Sequence, residues 1–90
     1  MSNPYFFLNT YRNIAKQVAT QDDIEKLYYD LMFRLPEGHF LQKWFDDTRP
    51  SLVKKSVAID AVAHEIHQKG DSTLQEIYPG AQWPVFKENL

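Results

Sequence analysis

The chain has 90 residues, ten Lys+Arg against twelve Asp+Glu, no cysteine, and thirteen aromatic residues: two Trp, five Tyr and six Phe. That length fits one domain, residues 1–90, burying about 60 to 65 % of its unfolded surface, and the lack of cysteine excludes a disulfide framework or a thiolate zinc site. Six basic and seven acidic residues in 1–50, and four and five in 51–90, leave no concentrated basic face of the kind that phosphate neutralisation demands, so nucleic acid is disfavoured as a partner.

Asn3-Pro4 reads as an N-cap followed by proline at the first helical position. Phe7, Leu8, Tyr11, Ile14, Ala15 and Val18 then recur at three- and four-residue spacing, which predicts a first helix over residues 4–19. The apolar run Tyr5-Phe6-Phe7-Leu8 stops at Asn9, Thr10 and Arg12, too soon for a signal peptide or a membrane span. With no cysteine present, a soluble protein of the reducing cytoplasm is the expectation.

Thr20-Gln21-Asp22-Asp23 resembles a capping box and starts a second helix with the stripe Ile24, Leu27, Tyr28, Leu31 and Leu35. Asp22 with Lys26, and Asp30 with Arg34, are i,i+4 pairs with the acid N-terminal. Pro36-Glu37-Gly38 ends it. A short third helix is predicted over residues 38–47, burying Phe40, Leu41, Trp44 and Phe45, and closed by Asp46-Asp47-Thr48-Arg49-Pro50.

Ser51 opens the longest predicted helix, which runs to Lys69 with Gly70 after its end. A brief last helix spans Leu74 to Tyr78 and stops at Pro79-Gly80. The tail from Ala81 to Leu90 holds Trp83 and Phe86 without a sustained helical period, and is expected to pack irregularly over the rest. The whole is therefore an all-α bundle of four main helices, a short fifth helix and an irregular aromatic C-terminal tail.

No glycine-rich phosphate loop, nucleophile elbow or His-Glu-x-x-His pattern is present. One polar row has chemistry: Asp60, His64 and His67, four and three residues apart, are candidate metal ligands. Val53 and Val57 continue that row, so a plain Asp60–His64 pair on a semi-exposed helix flank is the favoured reading, and no cofactor is expected. Residues 58–79 have the outline of a helix-turn-helix DNA-binding unit, but Ser72 to Tyr78 carry no Arg or Lys and include Glu76.

The aromatic residues are the stronger signal. Phe6 projects about 160° from the stripe on Tyr11 and Ala15, and Tyr29 and Phe33 form an i,i+4 pair opposite Ile24, Leu27 and Leu31. Burial of these three within the chain is the favoured reading, because the tail with Trp83 and Phe86 must cover something; left uncovered, they are the candidate partner-binding residues, since ring side chains are the usual anchors of interfaces. The expected function is a non-enzymatic protein-binding module of the inhibitor, antitoxin, immunity or adaptor kind, acting on another protein or on itself as a homodimer. The alternative is the DNA-binding regulator built on residues 58–79.

Overall fold

The computed structural model describes residues 4–45 and 51–90, without the side chains of Phe40, Trp44 and Phe45. The elements are α1 (Pro4–Ala15), α2 (Gln21–Arg34), a 3₁₀ helix (Phe40–Phe45), α3 (Leu52–Lys69), α4 (Asp71–Ile77) and α5 (Trp83–Asn89). The fold is all-α, with no strand among the described residues. Asn3 as a cap and Asp46 to Pro50 as a closing segment lie outside the described residues.

Helix α1 ends four residues before the predicted boundary, and its last hydrogen bonds show why. Val18 N–H donates to the Asn13 carbonyl at 2.9 Å and Gln17 N–H to the Ile14 carbonyl at 3.0 Å. That pair is a Schellman closure, with Gln17 at φ 61° in the left-handed position that glycine usually takes. Val18, placed on the buried stripe by its spacing, is instead 63 % exposed.

Helix α2 begins as its sequence predicts, the Thr20 hydroxyl accepting from the Asp23 N–H at 3.1 Å. Its buried face is Ile24, Leu27, Tyr28 and Leu31. The segment predicted as a third α-helix over 38–47 is a tighter 3₁₀ turn beginning at Phe40. Local bonds impose it: the His39 carbonyl accepts from Gln42 N–H at 2.9 Å, and His39 Nδ1 accepts from Leu41 N–H at 3.1 Å.

Helix α3 is the central element, with Ala58, Ile59, Val62, Ala63 and Ile66 buried and every other element except α5 packed closely on it. Gly70 alone joins α3 to α4, at φ 77° and ψ −147°, a conformation that only glycine adopts readily. This lets α4 start at Asp71, three residues ahead of the predicted Leu74.

The C-terminal tail is helical rather than irregular. Trp83–Asn89 forms α5 with Pro84 in its first turn, where the missing N–H has no intrahelical partner to lose. The tail does pack back on the bundle. Its Phe86 ring stacks on Phe7 at 5.7 Å, Tyr78 closes on Phe7 at 5.8 Å, and the Arg34 guanidinium covers the outer side of Tyr78 at 4.7 Å. Aromatic pairs at these separations add about 1 kcal/mol each beyond simple burial, so this cluster fixes how α1, α4 and α5 meet.

Candidate functional site

The described ring side chains range from buried to almost fully exposed, with Phe6, Tyr11 and Trp83 in between. Phe7, Tyr28, Tyr78 and Phe86 are buried, whereas Phe33 is 89 % exposed, Tyr5 59 % and Tyr29 46 %. An exposure of 89 % on a phenylalanine means that the described residues give it almost no cover, and Phe33 is the most solvent-accessible large apolar side chain among them.

Phe33 and Tyr29 follow one another on the outer side of α2, one turn apart, with Met32 beside them at 36 % exposure. Neighbours three and four apart on a helix touch the same patch of solvent. The inner edge of that patch is set by Tyr29, whose ring meets Tyr28 edge-on at 5.2 Å and lies under the Lys55 ammonium at 5.3 Å. Lys55, itself buried, pairs with Glu25 at 3.3 Å, so a cation from α3 props Tyr29 in place.

The charges around this face are already neutralised within the chain. Asp22 holds Lys26 at 2.9 Å, Asp30 holds Arg34 at 2.8 Å, and Glu25 holds Lys55. The Lys26 ammonium keeps its proton above the ordinary lysine range, because Asp22 bonds to it and adds its negative charge. The face thus presents rings and a thioether framed by balanced pairs.

Phe6 lies elsewhere. It is half-buried and packs against the core. The burial of Phe7, Leu8 and Thr10 centres the inward arc of α1 about 55° away from the centre on Tyr11 and Ala15, which leaves Phe6 about 105° and Tyr5 about 155° from the buried arc. The exposed ring on α1 is therefore Tyr5, and what turns the wheel toward it is the burial of Thr10, a polar residue that an apolar stripe leaves out.

Asp60 and His64 form an exposed i,i+4 pair at 3.3 Å. Among the described residues, no group of three or more His, Asp or Glu side chains converges as a metal site would require, so His67 does not complete the predicted row as a ligand set. His64 and His67 instead line a small cleft of about 190 Å³ with Tyr11 and Leu90. Burial, and then the negative charge of Asp60, hold the Tyr11 hydroxyl above its ordinary value of 10.0.

A second histidine–carboxylate pair escaped the sequence. His39 Nε2 lies 3.1 Å from Glu65 Oε1, both side chains largely enclosed. Since Nδ1 accepts the Leu41 N–H, the proton sits on Nε2 and points at the carboxylate. Both ring nitrogens are committed, so this imidazole has no lone pair to offer a substrate; it ties the 3₁₀ turn to α3.

In residues 58–79 one residue, Gly70, separates α3 from α4, where helix-turn-helix units use a turn of three or four. Helix α4 buries Thr73, Leu74 and Ile77 and turns Asp71, Ser72 and Glu76 to solvent, which sets negative charge where phosphates would lie. No helix among the described residues is long and apolar enough to cross a membrane. Comparison with protein-family models, with characterised proteins and with solved structures finds no match to this chain.

Proposed function

We propose that this chain is a protein-binding module without catalytic activity, of the inhibitor, antitoxin, immunity or adaptor kind, whose contact surface is the outer face of α2. The observation that carries this reading is the 89 % exposure of Phe33 beside a half-exposed Tyr29. An uncovered ring of that size keeps roughly 150 Å² of apolar surface in water, worth about 3 to 4 kcal/mol on burial. Interfaces place such rings at their centres and surround them with polar groups that need no new partner. The internally paired charges around Tyr29 and Phe33 meet that second condition.

Tyr29 and Phe33 are the anchors, and Met32 supplies an adaptable apolar contact between them. Phe6 belongs to the interior edge of α1 and contributes by holding the bundle. A photo-crosslinking phenylalanine analogue at position 33 tests the assignment, with the same group at exposed Glu88 as the control. Products, whether with a second copy or with another protein, are expected from position 33 alone and are expected to vanish when Tyr29 is also changed to Ser. Identical products from both positions would remove α2 as the contact surface.

A further inference from the structure

The first turn of α1 and the link between α4 and α5 enclose a cleft of about 270 Å³. Its floor is Leu8 and Phe86, both nearly fully buried, and its walls include Tyr5, Pro79, Gln82 and Val85. No Asp, Glu, Lys, Arg or His side chain lines it among the described residues. An ionised group entering would lose hydration and find no counter-charge, so the cleft selects an uncharged occupant.

The wall formed by the α4–α5 link is fixed before anything binds. The Ala81 N–H donates to the Tyr78 carbonyl at 3.1 Å, with Pro79 and then Gly80 at φ 87° between them, the pattern of a type II turn. The Gln75 side chain clamps this turn from both sides: its Nε2 donates to the Ala81 carbonyl at 2.7 Å, and its Oε1 accepts from the Gly80 N–H at 2.8 Å. Asp71 holds the same amide at 3.0 Å. A preformed wall spares the occupant the entropy of ordering it.

Size narrows the occupant further. A cavity of ~150 Å³ takes a benzene ring, and sites for whole drug-sized molecules begin near ~300 Å³. The cleft is open to solvent along one side, with Tyr5 standing exposed at its rim. A free ligand there would stay partly wet, whereas a side chain carried on a protein brings its own body to cover the opening. From these observations we infer that the cleft is the receptor for one uncharged aromatic side chain, tryptophan above all, projected by the protein partner. The inference rests on the reading of this chain as a protein-binding module and adds to it a second contact, distinct from the α2 face.

The test is an amide chemical-shift titration of the intact protein with N-acetyl-tryptophan amide, N-acetyl-arginine amide, free indole and a pentapeptide with one central tryptophan. The tryptophan amide is expected to give saturable shifts at Leu8, Ala81 and Val85 at millimolar concentration, the pentapeptide to bind at least as tightly, and the arginine amide to leave those signals in place. Tyr5→Ala, at a position 59 % exposed, should weaken binding on the order of tenfold, a loss typical of one ring contact, while leaving the urea midpoint near that of the parent, and Phe33→Ser should leave cleft binding unchanged. Ala81→Leu, which fills the cleft, should abolish it. Absence of saturable shifts, an equal response to arginine, or binding of indole with exclusion of the peptide overturns the inference. None of these results alters the crosslinking outcome at position 33, because Phe33 does not line the cleft.

Discussion

Single residues carry the sharpest energetic consequences in this fold, and the His39–Glu65 pair is the clearest instance. Glu65 is 5 % exposed at its side chain, and its second oxygen is buried without a hydrogen-bond partner. His39→Ala would strip the imidazole from a carboxylate left with Lys69 at 3.9 Å, and removing one member of a buried pair costs about 3 kcal/mol. Glu65→Gln keeps an acceptor for Nε2–H and removes the buried charge, so its stability should stay within about 1 kcal/mol of the parent. The double variant should recover most of the loss, measured by urea unfolding. A His39→Ala protein as stable as the parent would mean that water already satisfies this carboxylate.

Tyr11 gives stability a dependence on alkaline pH with a definite sign. Its hydroxyl is held above 10.0 in the folded chain, so the native state binds that proton more tightly than the unfolded state. The contribution is therefore complete below the unfolded value and is lost as pH rises through the higher folded value. Urea midpoints measured between about pH 8 and about pH 11 should fall, and Tyr11→Phe should lessen the fall. A parent and variant with parallel profiles would place the alkaline loss elsewhere.

At the level of elements, the contrast between α1 and α2 shows what the sequence makes legible. The start of α2 is written in Thr20, an N-cap whose hydroxyl can reach only a backbone N–H two or three residues ahead. The end of α1 is written nowhere, because the left-handed residue that closes it is Gln17 rather than glycine. Periodicity alone carried the prediction on to residue 19, and counting only apolar residues left out the buried Thr10, which set the stripe opposite Phe6 rather than Tyr5. The tail misled in the opposite way, too short to show a sustained helical period although Pro84 stands in the first turn of α5. The outward Tyr29–Phe33 pair was legible because α2 is regular from cap to cap, whereas His39–Glu65 needs the turn between α2 and α3 to bring distant residues together. The left-handed strain at Gln17 yields a prediction: Gln17→Gly should raise stability by up to about 1 kcal/mol, the steric relief exceeding the extra entropy of the unfolded chain. Calorimetry that finds Gln17→Gly destabilising would show that the side chain offsets its own backbone strain.

For the molecule as a whole, the distribution of charge sets how its interactions respond to salt. The formal net charge is −2, and the ion pairs that border the α2 face close within the chain. Association through Tyr29, Met32 and Phe33 then releases water from apolar surface and little else, and should change less than about threefold as salt rises from about 0.05 to about 0.5 M. Binding to DNA through residues 58–79 would do the reverse, because each neutralised phosphate steepens the fall of affinity with salt. Sedimentation of the uncrosslinked chain with the partner that crosslinking identifies, or with itself at rising concentration, across that range of salt separates the two mechanisms. A salt-insensitive complex that Phe33→Ser dissolves is the outcome expected of an interface built on rings. A complex that disperses steeply with salt, and that Phe33→Ser leaves intact, would move the contact surface off α2 and onto charged groups elsewhere on the bundle.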